Sequence, residues 1–494
     1  MKIRKLLNKL RGKINIFLLL LLALILRLIN INQSLWHDEA IGALVNRSMN
    51  VKEIFTNFII VDNHPPLYYL LQEFETQVFG YSELSLRLPS VIFGVLTVYF
   101  VYLIAKRYIK VHRVAVLAPL LMATSQLHIY YSQEARMYSM STFFVTLLMY
   151  LYLELRQTDN LRKFKFILFS IVLAVISMTD YLPVLIILTI GLDLAISHRP
   201  KVWKLKFIYT LLPMIFFMIL WSPFFIKQSE GGKWLLDALP KWKDLAGGTG
   251  VKQVLLLWTK FTGGRISFIN KYLYGIYLFI VTLIFAFPFV KVNIKNIFKE
   301  YRVFSLWFLV PVLAAYLISF WIPAFNYFRL IFVLPAFYIL LSICVFHYTK
   351  KNLTKFFVAV IILINVFSLV TYNLNVRTQR EQWRQSVRFV ENKLSKNDIV
   401  LFSYPEPFSG YRWYEQKPEK SFGATDSLVT NYEASKLLTL KLIEGKSSIY
   451  YFEYLSDLSD PGKVVMTTLF DSGFTEKAIY SQFSGIGNIY RFAK

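Results

Sequence analysis

Long apolar runs, separated by short charged or aromatic segments, dominate the first 375 residues of the chain. About 20 mostly apolar residues are needed to carry a helix across the hydrocarbon core of a bilayer, so each run predicts a transmembrane helix. The pattern predicts about eleven transmembrane helices, over Ile14–Asn30, Leu84–Ala105, Val114–Tyr130, Met137–Tyr152, Phe164–Met178, Tyr181–Ile196, Phe207–Ile226, Tyr272–Val290, Val303–Ile322, Tyr327–Phe346 and Phe356–Leu374.

The hydrophobic pattern changes after Asn375. An amphipathic segment, Glu381–Lys393, is followed by the strand-like run Asp398–Ser403 and then by further short helix and strand patterns. Such alternation is typical of a small α/β domain. The sequence therefore predicts an all-α polytopic membrane domain over residues 1–375 and a C-terminal α/β domain over residues 376–494.

Basic segments alternate along the chain and indicate its orientation. They are the N-terminus and residues 106–113, 156–165, 199–206, 291–302 and 350–355. Short loops rich in Lys and Arg stay on the cytoplasmic side. The N-terminus is therefore predicted to be cytoplasmic and the C-terminal domain extracytoplasmic. The first span is predicted to be retained, since no small-residue cleavage site precedes Ser34.

Composition agrees with a membrane protein and limits the other classes. Of 494 residues, 56% are hydrophobic and only 17% charged, whereas soluble domains are nearer 45–50% and about 25%. The net charge of +25 would also suit nucleic acid, but the basic loops already account for much of it, so nucleic acid is not a predicted partner. The single cysteine, Cys344, excludes a disulfide within the chain and a multi-cysteine metal site.

Two adjacent carboxylates follow the first predicted helix on the predicted outer side. Asp38 and Glu39 would repel each other at a membrane surface, which can raise the pKa of one and make it a base near neutral pH. The structural alternative is that Asp38 caps a helix beginning at Glu39.

Further polar groups are predicted on the same side. Asp62 and His64 precede two prolines and an amphipathic helix that starts at Leu67 and carries Tyr68, which describes an interfacial helix lying on the membrane. A lone histidine such as His64 is more often a structural hydrogen-bonding residue than a ligand. A metal held by carboxylates and His64 is only thinly supported by the pattern.

Two arginines are candidates for phosphate recognition. Arg136 lies with Glu134 and Tyr138 in a short turn, where it could pair with Glu134 or hold a phosphate at headgroup level. Arg329 follows Tyr327 at the outer start of a later helix, where it could grip the same phosphate or simply reach the membrane surface.

These motifs together resemble the protein mannosyltransferase and aminoarabinose transferase family of GT-C fold membrane glycosyltransferases. The resemblance is carried, in order, by residues 34–40 (SLWHDEA), 64–69 (HPPLYY), 86–90 (LRLPS) and 131–138 (YSQEARMY), with a weaker later match at 325–329 (FNYFR). It implies a sugar donor on a polyprenyl phosphate and a lipid, glycan or protein acceptor reached from the outer face of the plasma membrane.

The resemblance also implies roles for particular residues. Asp38 matches the acidic residue proposed as catalytic base, with Glu39 beside it, and His64 lies in the family's His-Pro-Pro motif. Asp62, Tyr68, Glu134, Arg136, Tyr138, Tyr327 and Arg329 are the predicted substrate-binding residues. No cofactor is predicted, and the metal ligands are unknown. A divalent cation that bridges the phosphate and Glu39 stays open.

Two other functional classes remain open from the sequence. A transporter or flippase of lipid-linked sugars would place its polar residues near the bilayer midplane, often in broken helices or inverted repeats. A non-catalytic membrane scaffold would leave the clustered acidic and histidine motifs without a shared purpose.

Overall fold

The computed structural model describes residues 16–157, 163–290, 292–348 and 351–494. The basic N-terminal segment and the first two residues of the predicted first span lie outside the described residues. So do parts of the basic segments 156–165, 291–302 and 350–355.

Helices form most of the chain before residue 375, and each of the eleven predicted spans overlaps at least one of them. Within the described ranges, five helices, or six with a bent pair, are long and apolar enough to cross a membrane, and four shorter apolar helices accompany them. The predicted all-α polytopic membrane fold is confirmed. The helices of the bundle are Ile16–Leu28, Glu83–Tyr108, Val114–Thr124, Gln126–Ser132, Tyr138–Gln157, Lys163–Thr179, Ile186–Ile196, Lys201–Tyr209, Leu212–Ala238, Lys271–Val290, Ile294–Glu300, Arg302–Ile318, Leu334–Tyr348 and Lys351–Leu374, with short 3₁₀ turns at Leu182–Leu185 and Ile331–Val333.

The third predicted span is not one continuous helix. It breaks at Ser125, where two helices meet at a bend of 57°. A break within a helix frees backbone carbonyls that need donors. The buried guanidinium of Arg27 supplies them, donating to the carbonyls of Ala123 at 3.3 Å and Met122 at 3.4 Å. This contact fixes the direction in which the second half of the span leaves.

Residues 227–271, between the seventh and eighth predicted spans, are largely helical. The seventh span continues to Ala238, and Trp242–Ala246 and Val251–Gly263 are further helices. The Gly247–Gly248 pair is packed, since a Cβ on Gly247 would meet the Phe325 carbonyl oxygen at 2.7 Å. Both glycines have positive φ, a conformation that other residues seldom adopt. These residues form a loop whose backbone approaches the turn before Arg329 closely.

Short helices line the connection between the first two spans. They are His37–Ser48, Val51–Glu53, the π-helical turn Ile54–Ile59 and Leu67–Phe79. In the last of these, Gln72 and Glu73 turn into the protein while Phe74 and Val78 are exposed. An exposed apolar side with a polar side against the protein is what a helix lying on a membrane requires.

The C-terminal residues form a five-stranded mixed sheet with helices on both faces. The strands are β1 (Asp398–Phe402), β2 (Ser421–Gly423), β3 (Ser448–Phe452), β4 (Thr475–Tyr480) and β5 (Ile489–Ala493), in the order β2-β1-β3-β5-β4. β1 is parallel to β2 and β3, whereas β5 is antiparallel to β3 and β4. The helices of this part are Trp383–Glu391, Ser409–Tyr414, Tyr432–Ile443, Ser456–Ser459 and Val464–Asp471, with 3₁₀ turns at Val376–Thr378 and Pro418–Lys420.

Successive residues of β1 supply the two cores of this sheet. Val400 and Phe402 pack with Trp383 on one face, while Ile399 and Leu401 pack on the other. This alternation is the period of two that a strand covered on both faces shows. The membrane-type helices end with Lys351–Leu374, which is where the sequence predicts the boundary between the two domains. The division into two domains stays a prediction.

Candidate active site

Segments that are far apart in sequence meet at the end of the bundle that contacts the C-terminal sheet domain. Arg136, from the turn between helices Gln126–Ser132 and Tyr138–Gln157, lies within 4.0 Å of Asp38 and 3.1 Å of His64. The sequence predicts only that these segments lie on the same side of the membrane. In the structure their side chains are in contact.

Glu39 is the buried anchor of this end. Its carboxylate receives two hydrogen bonds from Arg87, at 2.8 and 2.6 Å, and one from the Ala135 backbone amide at 2.7 Å. Arg87 and Arg380 lower the pKa of Glu39 despite the opposing effect of burial. These contacts favour a positioning role for Glu39 over the predicted catalytic one. The divalent cation stays a prediction, but Glu39 would not be among its ligands, because both its oxygens are already engaged.

Asp38 has a different environment from its neighbour. It stands in the first turn of helix His37–Ser48, where the helix dipole favours a negative charge. The helix begins at His37, and the Trp36 amide bonds to Glu39, so the alternative in which Asp38 caps a helix starting at Glu39 is wrong. The side chain is 36% exposed, and its ion pair with Arg136 is long, at 4.0 Å.

Arg136 is buried among neutral partners. It donates to the Tyr69 hydroxyl at 3.1 Å and lies 3.1 Å from Nε2 of His64, while its Nε has no hydrogen-bond partner among the described residues. The predicted alternative, an ion pair with Glu134, is not among its contacts, since Glu134 pairs with Arg380. Among the described residues, Arg136 therefore has no carboxylate closer than Asp38 at 4.0 Å, although Asp62 also acts on its charge from nearby.

Asp62 and His64 enclose Arg136 from the loop before helix Leu67–Phe79. The Tyr69 hydroxyl donates to Asp62 at 2.9 Å. Burial raises the pKa of Asp62 and, with the charges of Arg136 and Arg329, lowers the pKa of His64 well below its ordinary value. A neutral His64 can accept a hydrogen bond from Arg136.

Glu134 belongs to a second buried pair. Its carboxylate accepts from Arg380 at 2.9 Å, and burial raises its pKa to about 7. The Arg380 guanidinium also stacks 4.0 Å from the ring centre of Tyr130, and Arg265 lies 4.1 Å from the same ring. Cations near aromatic rings are stabilised by the electron-rich faces of the rings.

The remaining predicted residues line the same region. Arg329 donates to the Pro323 carbonyl at 3.3 Å, and its charge acts on both His64 and Tyr138. The ring of Tyr138 packs 5.6 Å from that of Phe328, and Tyr327 interacts with Tyr131. The Tyr68 hydroxyl is 3.1 Å from Ser90, inside the protein. Their binding of substrate stays a prediction.

Several residues of the site were not among the sequence candidates. Asp180 is buried near Arg329, and burial raises its pKa to about 6. Arg87 holds Glu39 and three backbone carbonyls, and Arg380 and Glu381 come from the start of the C-terminal domain. Arg87 had a usable signal, since it lies in the family-like motif 86–90. Asp180, Arg380 and Glu381 had none without the fold.

Among the described residues, no three His, Cys, Asp or Glu side chains converge in a way that could hold a metal ion.

Comparison with known proteins bears on the family and on the fold. Residues 63–226 match the family model of the dolichyl-phosphate-mannose-protein mannosyltransferases. Comparison with curated protein sequences gives no match.

Solved structures share the fold at low sequence identity. ArnT from Cupriavidus metallidurans, bound to undecaprenyl phosphate, has a TM-score of 0.58 at 11% identity and covers 97% of both chains. The archaeal oligosaccharyltransferase AglB from Archaeoglobus fulgidus, in complex with an inhibitory peptide and a dolichol-phosphate, has a TM-score of 0.55 at 12% identity, covering 98% of this chain and 74% of its own. The chain therefore has the GT-C fold of membrane glycosyltransferases, and its resemblance to the protein mannosyltransferase and aminoarabinose transferase family is confirmed.

Proposed function

We propose that the protein transfers a single sugar from a polyprenyl-phosphate donor to a lipid, glycan or protein acceptor at the outer face of the plasma membrane. The family match, the GT-C fold and the binding of undecaprenyl phosphate and dolichol-phosphate by two structural relatives support a donor of this class. The sugar and the acceptor are left unspecified.

The observation that carries this proposal is the environment of Arg136. Its guanidinium is buried, and its hydrogen-bond partners Tyr69 and His64 are neutral. Within the described part of the chain, its one ion pair is the long contact with Asp38. An arginine in this state has both charge and donors left for a phosphate, whose oxygens match its planar fork. Arg329, whose charge also acts on His64, adds a second positive charge.

Asp38 is the carboxylate best placed to act as the base. It is partly exposed beside Arg136, whereas Glu39 and Glu134 are held by Arg87 and Arg380. A general base has to reach the acceptor, so an occupied, buried carboxylate is a poor candidate.

The proposed reaction is one inverting displacement at the anomeric carbon. The acceptor group bonds to this carbon as its proton passes to the Asp38 carboxylate, and the bond from the anomeric carbon to the phosphate oxygen breaks. The electron pair of that bond leaves with the polyprenyl phosphate. Because the phosphate departs as a stable anion, catalysis depends on the base and on the positive charge of Arg136 and Arg329, with little need for an acid.

The test uses the full chain in proteoliposomes with a panel of polyprenyl-phosphate sugars, and it measures both sugar transfer and release of the polyprenyl phosphate. Asp38→Asn should lower kcat by about 100- to 10,000-fold, the usual contribution of a general base. Asp457→Asn, at an exposed carboxylate of the C-terminal domain, is the matched control and should keep wild-type activity.

Two results would contradict the proposal in different ways. Wild-type transfer by Asp38→Asn would remove Asp38 as the base. No transfer by the wild-type protein from any donor in the panel would contradict glycosyl transfer itself and favour a transporter or a scaffold.

A further inference from the structure

The backbone that leads to Asp38 is held by the C-terminal part of the chain as well as by Arg87 of the bundle. Every residue from 32 to 35, and also His37, has a hydrogen bond to the C-terminal part of the chain. The contacts join Arg384 to the Asn32 carbonyl, the Arg380 amide to the Gln33 side chain, Ser34 Oγ to the Glu381 carbonyl, the Leu35 amide to the Tyr414 hydroxyl, and the His37 amide to the Glu381 carboxylate. The position of Asp38 therefore depends on a domain that begins some 340 residues later in the sequence.

Glu381 makes the contact nearest to Asp38. Its Oε2 accepts from the His37 amide at 3.1 Å and from the Trp383 indole at 2.7 Å. Its Oε1 accepts from the Tyr454 hydroxyl at 2.8 Å. Trp383 and Tyr454 belong to the core of the C-terminal domain. The Glu381 carboxylate therefore links that core directly to the backbone amide of His37, the residue before Asp38.

Glu381 is not free to react. Both of its oxygens are engaged, and a Cβ on Gly485 would lie 2.9 Å from its Cγ, so the side chain is tightly enclosed. A carboxylate that is fixed in this way can orient a neighbour but cannot approach a substrate.

We propose that Glu381 is a positioning residue through which the C-terminal domain holds the His37 amide and so directs the Asp38 carboxylate towards the acceptor. The inference rests on the proposed function, because its consequence is measured in sugar transfer. A base displaced by about 1 Å can cost on the order of 100-fold in rate. Loss of the tether should therefore act on kcat, while donor binding at Arg136, which Glu381 does not touch, should be maintained.

The test compares substitutions of two buried carboxylates in the same domain. Glu381→Ala removes the tether, whereas Glu381→Gln retains an oxygen for His37 and Trp383 and an amide that can donate to the Tyr454 hydroxyl. Glu391 is the control, because it is also buried and accepts from backbone amides, those of Gln416 at 2.9 Å and Lys417 at 3.1 Å. Among the described residues, it makes no hydrogen bond to the segment 32–38 that leads to Asp38. Each full-length variant is assayed in proteoliposomes for kcat, for the KM of the donor and for thermal unfolding.

The expected result is a fall in kcat of about 10- to 100-fold for Glu381→Ala with the donor KM within about twofold of wild type. Glu381→Gln should recover most of that loss, and Glu391→Ala should keep the wild-type kcat even if it unfolds at a lower temperature. If Glu381→Ala does not fold, Tyr454→Phe, which removes one partner of Glu381, should give a smaller fall in kcat of the same kind.

Three results would overturn the inference while wild-type transfer still supports the proposed function. They are wild-type kcat in Glu381→Ala, equal losses in Glu381→Ala and Glu391→Ala, and a loss that appears only in the donor KM. Absence of transfer by the wild-type protein would instead contradict the proposed function.

Discussion

The adjacent carboxylates Asp38 and Glu39 should respond in opposite ways to the same chemical change. Replacing each by its amide removes one negative charge and almost no volume. The structure predicts that Glu39→Gln loses stability, whereas Asp38→Asn loses activity and keeps stability.

The magnitude for Glu39 follows from its contacts. The carboxylate is fully buried and accepts four hydrogen bonds, two from Arg87 and one each from the amides of Ala135 and Trp36. In Glu39→Gln the amide nitrogen would replace an oxygen and face donors with another donor. Breaking a buried ion pair by removing one partner costs about 3–5 kcal/mol, because the other charge is left uncompensated.

The loss of stability expected for Asp38→Asn is small. Its side chain is 36% exposed, and the distance to Arg136 is 4.0 Å. Because this pair is long and Asp38 is partly in solvent, its contribution should be close to the ~0–1 kcal/mol of surface pairs, and Asp38→Asn should unfold at nearly the wild-type temperature.

The assay is thermal unfolding of the purified protein in lipid nanodiscs, monitored by the change in tryptophan fluorescence. Sugar transfer is measured on the same samples. Arg87→Met, made alone and together with Glu39→Gln, completes a double-mutant cycle. Coupling between the two side chains should make the loss of stability in the double variant differ strongly from the sum of the two single losses. Unfolding of Glu39→Gln at the wild-type temperature would refute the account of Glu39 as an anchor. Additive effects of the two substitutions would refute its pairing with Arg87.

Three further predictions concern other parts of the site. Arg136→Lys keeps the charge but loses the planar fork, so the donor KM should rise by about 10- to 100-fold with the protein still folded, and an unchanged donor KM would count against a phosphate at this residue. Gly94→Ala should lower stability by about 1–3 kcal/mol, because its Cβ would lie 2.8 Å from Arg27 Nε. Gly275→Ala is the control and should be tolerated, since there is open space around Gly275. Equal unfolding temperatures of the two variants would contradict this prediction. Burial raises the pKa of Glu134 from 4.5 to about 7, so the folded state binds this proton more tightly than the unfolded state does. The free energy of unfolding should therefore fall as the pH rises between these values, and Glu134→Gln should flatten that part of the plot of stability against pH. An unchanged slope in Glu134→Gln would contradict this prediction.

Hydropathy predicts the helices of the bundle but not the places where they break. Each apolar run gives a helix because its backbone can satisfy its own hydrogen bonds in an apolar setting. The bend at Ser125 depends instead on a partner, since Arg27 provides donors for the carbonyls of the preceding helix. A lone arginine in the first span carries no sign in the sequence that its partner lies some 95 residues away.

The site was predictable where its residues lie in short motifs and not where they come from the C-terminal domain. Asp38, His64 and Arg136 follow from local patterns and from the family resemblance, and the fold brings them together. Arg380 and Glu381 lie in a stretch that reads as the start of an ordinary amphipathic helix. Only the docking of the sheet domain shows that one pairs with Glu134 and the other holds the loop before Asp38.

Four arginines at this end of the bundle differ in how their charges are met, and the difference indicates where an anion would bind. Arg87 and Arg380 lie 2.6 and 2.9 Å from carboxylate oxygens, so an incoming phosphate would have to displace a buried partner to reach them. Arg136 has only the long contact with Asp38, and Arg329, within the described part of the chain, bonds to a backbone carbonyl rather than to a carboxylate. A polyprenyl phosphate that approached Arg136 and Arg329 would reach two positive charges without displacing a tightly paired carboxylate. Its departure as an anion during transfer would be stabilised by the same two side chains.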